Sequence, residues 1–213
     1  MGFAGYAAAM TPPRVMKGQL IVLCGPSGVG KSTLSRRLAE DMGVVYVPAV
    51  TTREARPGDD KGKAYEHVTE DKFFQRLDAG EFLEYAQNYD EYYATPKHPA
   101  LDLLGEGRDV LLEIDVQGAL QVRFHYPRAL LIFILPPDEA TLRDRLVDRG
   151  RDEPKQIAKR FRAARREIHM AKGSRAFDHM VVNDDLNHAA AELSKLVRHR
   201  RSSDQMEAVN GGA

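Results

Sequence analysis

Residues 25–33 read Gly25-Pro26-Ser27-Gly28-Val29-Gly30-Lys31-Ser32-Thr33, a complete G-x-x-x-x-G-K-[ST] segment, and no other stretch constrains the fold so tightly. Gly25, Gly28 and Gly30 allow the backbone to curl until successive N–H groups converge on phosphate oxygens. Lys31 brings a full positive charge toward the β- and γ-phosphates, and Ser32 offers a hydroxyl to a magnesium ion, directly or through water. A helix starting at this point adds its N-terminal dipole. The loop needs a strand before it and a helix after it. Residues 20–24 form a continuous apolar run that suits a buried strand, and Leu34, Leu38 and Met42 recur at helical spacing behind the loop. The chain therefore reads as a binder of a nucleoside triphosphate.

Further apolar runs at 110–114, 130–135 and 180–182, with 44–47 as a possible fifth, alternate with helical patterns. That alternation predicts an α/β fold with a central parallel sheet between helical layers, a three-layer α/β/α arrangement. Each run gives way to polar or turn residues at its carboxyl end, where such sheets bind ligands. Between 51 and 95 the pattern changes to turns, short alternating stretches and several tyrosines, with one helix expected over 71–79, so this segment reads as an inserted mixed α+β lobe. Two charged helices over 139–148 and 155–171 are separated by Arg149-Gly150-Arg151-Asp152-Glu153-Pro154, a break that suits a short helical lid. The domain reading is thus a core over 18–48 and 96–200, with a lid at about 145–165, and a lobe over 49–95. A disordered leader over 1–17 and a flexible polar tail over 201–213 complete it.

Thirty-one basic and 31 acidic residues cancel, which argues against a nucleic-acid or acidic-membrane binder and leaves anion recognition to local clusters. No apolar run is long enough to span a bilayer. The single cysteine, Cys24, can form no internal disulfide, so a reducing, cytoplasmic setting is expected. The seven histidines show no metal-ligand spacing, and neither Ser27 nor Ser32 lies in a hydrolase motif, so covalent nucleophilic catalysis has no support.

Outside the loop, three groups carry chemistry. Arg53 and Arg56 flank a turn set by Pro57 and Gly58, and read either as a phosphate clamp or as ordinary solvated arginines. Tyr65 and Tyr93 supply phenolic donors to the same anion, or else packing. Glu84, Glu113 and Asp115 are carboxylates on strand-like stretches. Ionised, they accept hydrogen bonds only, so they match guanine's N1–H and exocyclic amine or a hydrated magnesium ion. The alternatives are a helix N-cap for Asp115 and a structural ion pair for Glu113. Arg145 and Arg149 share a helix face, with Arg160 on the returning helix. They stand either around a phosphoryl group in transfer or on a solvated ion-pair surface.

Taken in order, the phosphate loop, Thr51-Thr52-Arg53-Glu54-Ala55-Arg56-Pro57-Gly58, residues 82–86, Tyr92-Tyr93, Glu113-Ile114-Asp115-Val116-Gln117-Gly118, residues 145–150 and Val182-Asn183-Asp184-Asp185 resemble the guanylate kinase family over about 18–200. The resemblance implies a P-loop fold that transfers the ATP γ-phosphoryl group to GMP, and dGMP, giving ADP and GDP with Mg2+ required. The inserted lobe then becomes the GMP-binding part. By motif, Arg53, Arg56, Tyr65 and Tyr93 resemble the GMP phosphate ligands, and Glu84 and Thr95 resemble base contacts. Glu113 and Asp115 match carboxylates near nucleotide and metal, Lys31, Arg145, Arg149 and Arg160 match cations around the phosphoryl group, and Asn183 matches a residue near the ATP adenine.

Two positions depart from the family. Ala49 stands where a serine is usual, which removes one hydroxyl from the base contacts, and Ala94 replaces a glycine, which would force a local rearrangement if the site required positive φ. Competing functions are a non-catalytic guanylate-kinase-like module that binds a phosphorylated partner, and a related kinase for ribose phosphates. The intact loop opposes the first, and Glu84 with Thr95 opposes the second. The expected partners are ATP and GMP, with no nucleic acid or membrane.

Overall fold

The computed structural model describes residues 16–55, 65–88, 90–148 and 154–210. Strand β1, Leu20–Cys24, is buried along its whole length, as an apolar run without polar alternation requires of a strand covered on both faces. The same logic makes β8, Leu130–Leu135, a strand. With β2 (Val45–Tyr46), β7 (Val110–Ile114) and β9 (His179–Val182) they form a five-stranded sheet in the order β2-β7-β1-β8-β9. The β2–β7, β1–β8 and β8–β9 pairs run parallel. The expected central parallel α/β sheet is what the chain builds.

Packing divides the chain into two units. One holds the described parts of Ile21–Val44, Glu113–Val116 and Leu130–Ala213. Here α1, Lys31–Met42, follows the phosphate loop, buries Leu34 and Leu38, and stops at Gly43, whose left-handed φ of 66° lets its N–H bond to Ala39 O. Helices α5 (Glu139–Asp148) and α6 (Pro154–Ser174) pack through Leu142, Leu146 and Ala164, with Ile157 and Phe161 against them. Pro154 opens α6, where its missing N–H costs nothing. Helix α7 runs Leu186–Asn210 and so takes in residues 201–210, which the polar composition assigns to a tail. Those residues carry helical i, i+4 contacts: Arg200 approaches Asp204 at 3.6 Å, and Ser202 and Ser203 donate to the carbonyls of Arg198 and His199. Composition alone misses this helix end because its hydrogen bonds are supplied by polar side chains and its own backbone.

The other unit holds the described parts of Met1–Leu20, Val45–Leu112 and Gln117–Ala129. The expected leader over 1–17 lies outside the described residues except for its last two. Strands β3 (Ala49–Thr51), β4 (Tyr65–His67), β5 (Phe82–Asn88) and β6 (Glu91–Pro96) form a second sheet in the order β4-β3-β6-β5. The β3–β4 pair is parallel, and β3–β6 and β5–β6 are antiparallel. Helix α2, Glu70–Asp78, lies within one residue of the expected span. Thr69 caps it by accepting the Lys72 N–H, Glu70 and Asp71 suit its positive end, and Arg76 suits its negative end. Its Phe73 enters a core with Val50, Phe82 and Ala94, ringed by Val68, Leu77, Tyr85 and Tyr92. Ala94 is fully buried in β6, and among the described residues Arg175 is the sole non-glycine with positive φ. The alanine therefore fits as an extended strand residue, and no rearrangement is needed. Helices α3 (Lys97–Gly105) and α4 (Val116–His125) complete the fold.

Candidate active site

The phosphate loop leaves β1 at Gly25 and enters α1 at Gly30. All three loop glycines have positive φ: 150° at Gly25, 90° at Gly28 and 96° at Gly30. A side chain at Gly25 would come within 2.7 Å of Ile134 O, and one at Gly30 within 2.5 Å of Asn183 Nδ2. Backbone conformation and close approach thus both exclude other residues. Helix α1 has no side-chain cap at its start and no acidic residue in its first turn. Its first residue is instead Lys31, a cation at the positive end of the dipole, an arrangement unfavourable by itself and favourable once an anion sits there.

Lys31 Nζ donates to Gly25 O at 2.5 Å and Pro26 O at 3.1 Å, so its ammonium is folded over the loop. Ser32 Oγ donates to Glu113 Oε1 at 2.8 Å, which sets a hydroxyl and a carboxylate side by side at the carboxyl end of β7. Glu113 therefore accepts a hydrogen bond from the loop. Asp115, just past β7, acts electrostatically with Lys31 on Cys24 and Glu167. Burial pushes the Cys24 thiol well above its ordinary value against the pull of Lys31, so the thiol stays protonated and inert at neutral pH.

Asn183, expected near the adenine, has its side chain engaged by the loop: Nδ2 donates to Val29 O at 2.8 Å, and the side chain is buried. Its own backbone is also occupied, with N–H bonded to Leu135 O and carbonyl accepting from Arg145 at 3.1 Å. One residue after β9 thus fixes both the phosphate loop and an arginine of α5. Arg160 lies partly buried on α6, whereas Arg149 falls outside the described residues.

Glu167 is a charge that motif reasoning overlooks. Burial pushes its carboxyl up to about 7, against the pull of Lys31, with nearby Asp115 adding to the rise. A signal existed in the sequence: Glu167 falls on the α6 stripe that also carries buried Ala164 and Ala171, where a carboxylate has no ordinary reason to be.

The second cluster belongs to the other unit. Arg53 is 6% exposed, which removes the solvated-turn alternative. Its guanidinium lies 5.1 Å from the Tyr65 ring centroid, and NH1 donates to Glu54 O. Tyr93 meets Tyr65 edge to face at 6.1 Å, and its hydroxyl donates to Glu91 Oε2. Burial, aided by Glu91, pushes the Tyr93 phenol up to about 12, so it remains a donor throughout the physiological range. Arg56 lies outside the described residues. Glu84 and Thr95 are register partners on β5 and β6; Thr95 Oγ1 donates to Glu84 Oε1 at 2.7 Å, and both are buried. A carboxylate has two oxygens with about four acceptor sites, so the Thr95 hydroxyl and a ligand with paired donors can both be accommodated by it.

A parallel α/β sheet whose first strand runs through this loop into an uncapped helix, with lysine, serine and carboxylate gathered there, defines a nucleotide-binding protein of the phosphate-loop class. The guanylate kinase family model matches residues 17–200. Relatives named guanylate kinase include one from Oceanobacillus iheyensis, 40% identical over 85% of this chain and 87% of its own length. Another, from Thermus thermophilus, is 44% identical over 90% and 86%. The crystal structure of a guanylate kinase from Anaplasma phagocytophilum superposes with a TM-score of 0.72 at 31% identity, covering 85% of both chains. The chain belongs to the guanylate kinase family. A gluconokinase from Sinorhizobium meliloti, TM-score 0.51 at 17% identity over 91% of this chain and 99% of its own, shares the fold alone.

Proposed function

We propose that this chain is an ATP:GMP phosphotransferase that converts ATP and GMP, and also dGMP, to ADP and GDP. The observation that carries the acceptor assignment is the buried Glu84–Thr95 pair, because an ionised carboxylate complements the two adjacent donors on guanine's Watson–Crick edge, and adenine lacks that pair. Arg53 and Tyr93 bind the acceptor phosphate beside Tyr65, with Arg56 as a further ligand. Tyr93 brings a hydroxyl that keeps its proton.

On the donor side the loop amides and Lys31 hold the β- and γ-phosphates. Arg145, anchored on the Asn183 carbonyl, and Arg160 and Arg149 neutralise the charge that spreads over the transferring group. Attack by a GMP phosphate oxygen on the γ-phosphorus, with ADP leaving in line, needs no covalent enzyme intermediate. Catalysis is positioning and electrostatic stabilisation.

Mg2+ belongs to the same proposal. Among the described residues no three His, Cys, Asp or Glu side chains cluster as a metal cage. The Ser32 hydroxyl and the Glu113 carboxylate, with Asp115 nearby, are instead the sparse oxygen set that magnesium takes together with nucleotide phosphates. When bound, the ion draws charge from the β- and γ-phosphate oxygens. Among the described residues no helix is long and apolar enough to cross a membrane. A cytoplasmic location is supported by the single, buried thiol.

A coupled assay of ADP release with GMP, dGMP, AMP, UMP and ribose phosphates as acceptors tests the reading. Release that depends on GMP or dGMP is expected; release independent of them would refute it.

A further inference from the structure

Strand β5 is the outer strand of the second sheet, so Tyr85 and Gln87 turn backbone groups away from β6. Such groups have no neighbouring strand to pair with, and the ladder holds an edge strand from one side only. The problem is acute here, because a β-bulge lies between Phe82 and Glu84, where pairing shifts from Phe82↔Pro96 to Glu84↔Thr95. A slip of one residue would carry Glu84 to the opposite face of the sheet and separate it from Thr95.

Helix α4 closes that edge with side chains. Gln121 Nε2 donates to Tyr85 O at 2.6 Å, and Gln121 Oε1 accepts the Tyr85 N–H at 3.3 Å. One amide thus reproduces the two-bond pairing that a neighbouring strand would make with a single residue. One turn earlier, Gln117 Nε2 reaches Gln87 O at 3.4 Å, the next outward-facing position of β5. Gln121 Nε2 also donates to the Gln117 carbonyl, which links the two glutamines on one helix face. Gln117 belongs to the Glu113–Gly118 motif, in which the carboxylates account for the chemistry and the glutamine has no assigned task.

We propose that Gln121, assisted by Gln117, is a positioning residue for acceptor-base recognition: its amide completes the edge of β5 immediately after the bulge and so fixes the register in which Glu84 meets Thr95. The proposal rests on the reading of Glu84 as the guanine-binding carboxylate. Gln121 touches no substrate in this role; it acts through the backbone of Tyr85 on the residue beside it.

The test compares Gln121→Met, of similar length without hydrogen-bonding groups, with the wild type and with Glu84→Gln. Loss of two backbone bonds at the edge should raise the KM for GMP about tenfold. The KM for ATP and kcat should stay within about twofold, and the preference for GMP over IMP, which lacks the exocyclic amine, should contract. The Tyr85 amide should lose hydrogen-exchange protection. Gln121→Glu, which keeps the acceptor and loses the donor, should shift GMP use in the same direction and provides a second variant if the methionine form folds poorly. The double variant with Glu84→Gln should cost less than the sum of the singles, since both act on one contact.

If Glu84→Gln leaves GMP use unchanged, the base-contact reading itself fails. If Glu84→Gln impairs GMP use while both Gln121 variants keep wild-type GMP kinetics, the positioning role is overturned. A loss of stability with equal effects on ATP and GMP and no change in the GMP-to-IMP ratio would likewise overturn it, leaving an edge-sealing contact without a part in recognition.

Discussion

Glu167→Gln should make the protein's stability less sensitive to alkaline pH. The folded carboxyl titrates near 7 against an ordinary value of 4.5, because partial burial beside Asp115 penalises the charged form more than Lys31 rewards it. A carboxyl raised on folding binds its proton more tightly in the native state. Its contribution is therefore fully present below about pH 4.5 and is lost as pH rises through about 7. The difference corresponds to about 3 kcal/mol in full, and about 2 kcal/mol of it falls between about pH 5 and about pH 8. Glutamine is neutral throughout, so it lacks this loss. Urea unfolding of both proteins at these two pH values gives the quantity directly: the stability of the variant relative to wild type should rise by about 2 kcal/mol from the lower pH to the higher. A difference unchanged between the two would show that Glu167 titrates like an exposed carboxyl, and would refute the argument from burial on the α6 stripe.

Lys31→Ala should lower kcat by about a thousandfold or more while thermal unfolding shifts little, since among the described residues the lysine donates to loop carbonyls alone; turnover near wild type would remove its assigned role. Arg53→Ala should raise the KM for GMP by about a hundredfold with the KM for ATP nearly unchanged, measured by varying each substrate in turn. Asn183→Ala leaves Val29 O without its donor and frees the loop beside Gly30. It should destabilise the protein by about 1–3 kcal/mol in denaturant titration and raise the KM for ATP more than that for GMP. Ala49→Ser, which restores the hydroxyl usual in the family, should improve GMP affinity by about 0.5–1.5 kcal/mol in calorimetric titration.

Much of the architecture was legible because it is written in local pattern. The five-residue apolar run of β1, the spacing of Leu34 and Leu38 and the span of α5 each follow from residues close in sequence. The helix over 201–210 was not, because a polar stretch carries no apolar stripe, and what extends α7 is hydrogen bonding along its own length. Arg53 shows the limit at the site: turn composition leaves a clamp and a solvated arginine both open, and what removes the solvated one is the Tyr65 ring beside the guanidinium and the depth of burial.

The sequence by itself determined that a phosphate loop joins strand to helix, since positive φ at three glycines and a lysine at a helix start are properties of adjacent residues. It also determined the family and, through that, the two nucleotides. Tertiary structure alone decided which side chains serve those motifs. Asn183 holds the loop from 154 positions away, Glu113 meets Ser32 across 81, and Gln121 closes the edge at Tyr85 across 36. These partners are set by which elements the sheets bring together. The cost or benefit of a polar group depends on the water that packing removes from it, and no window along the chain contains that information.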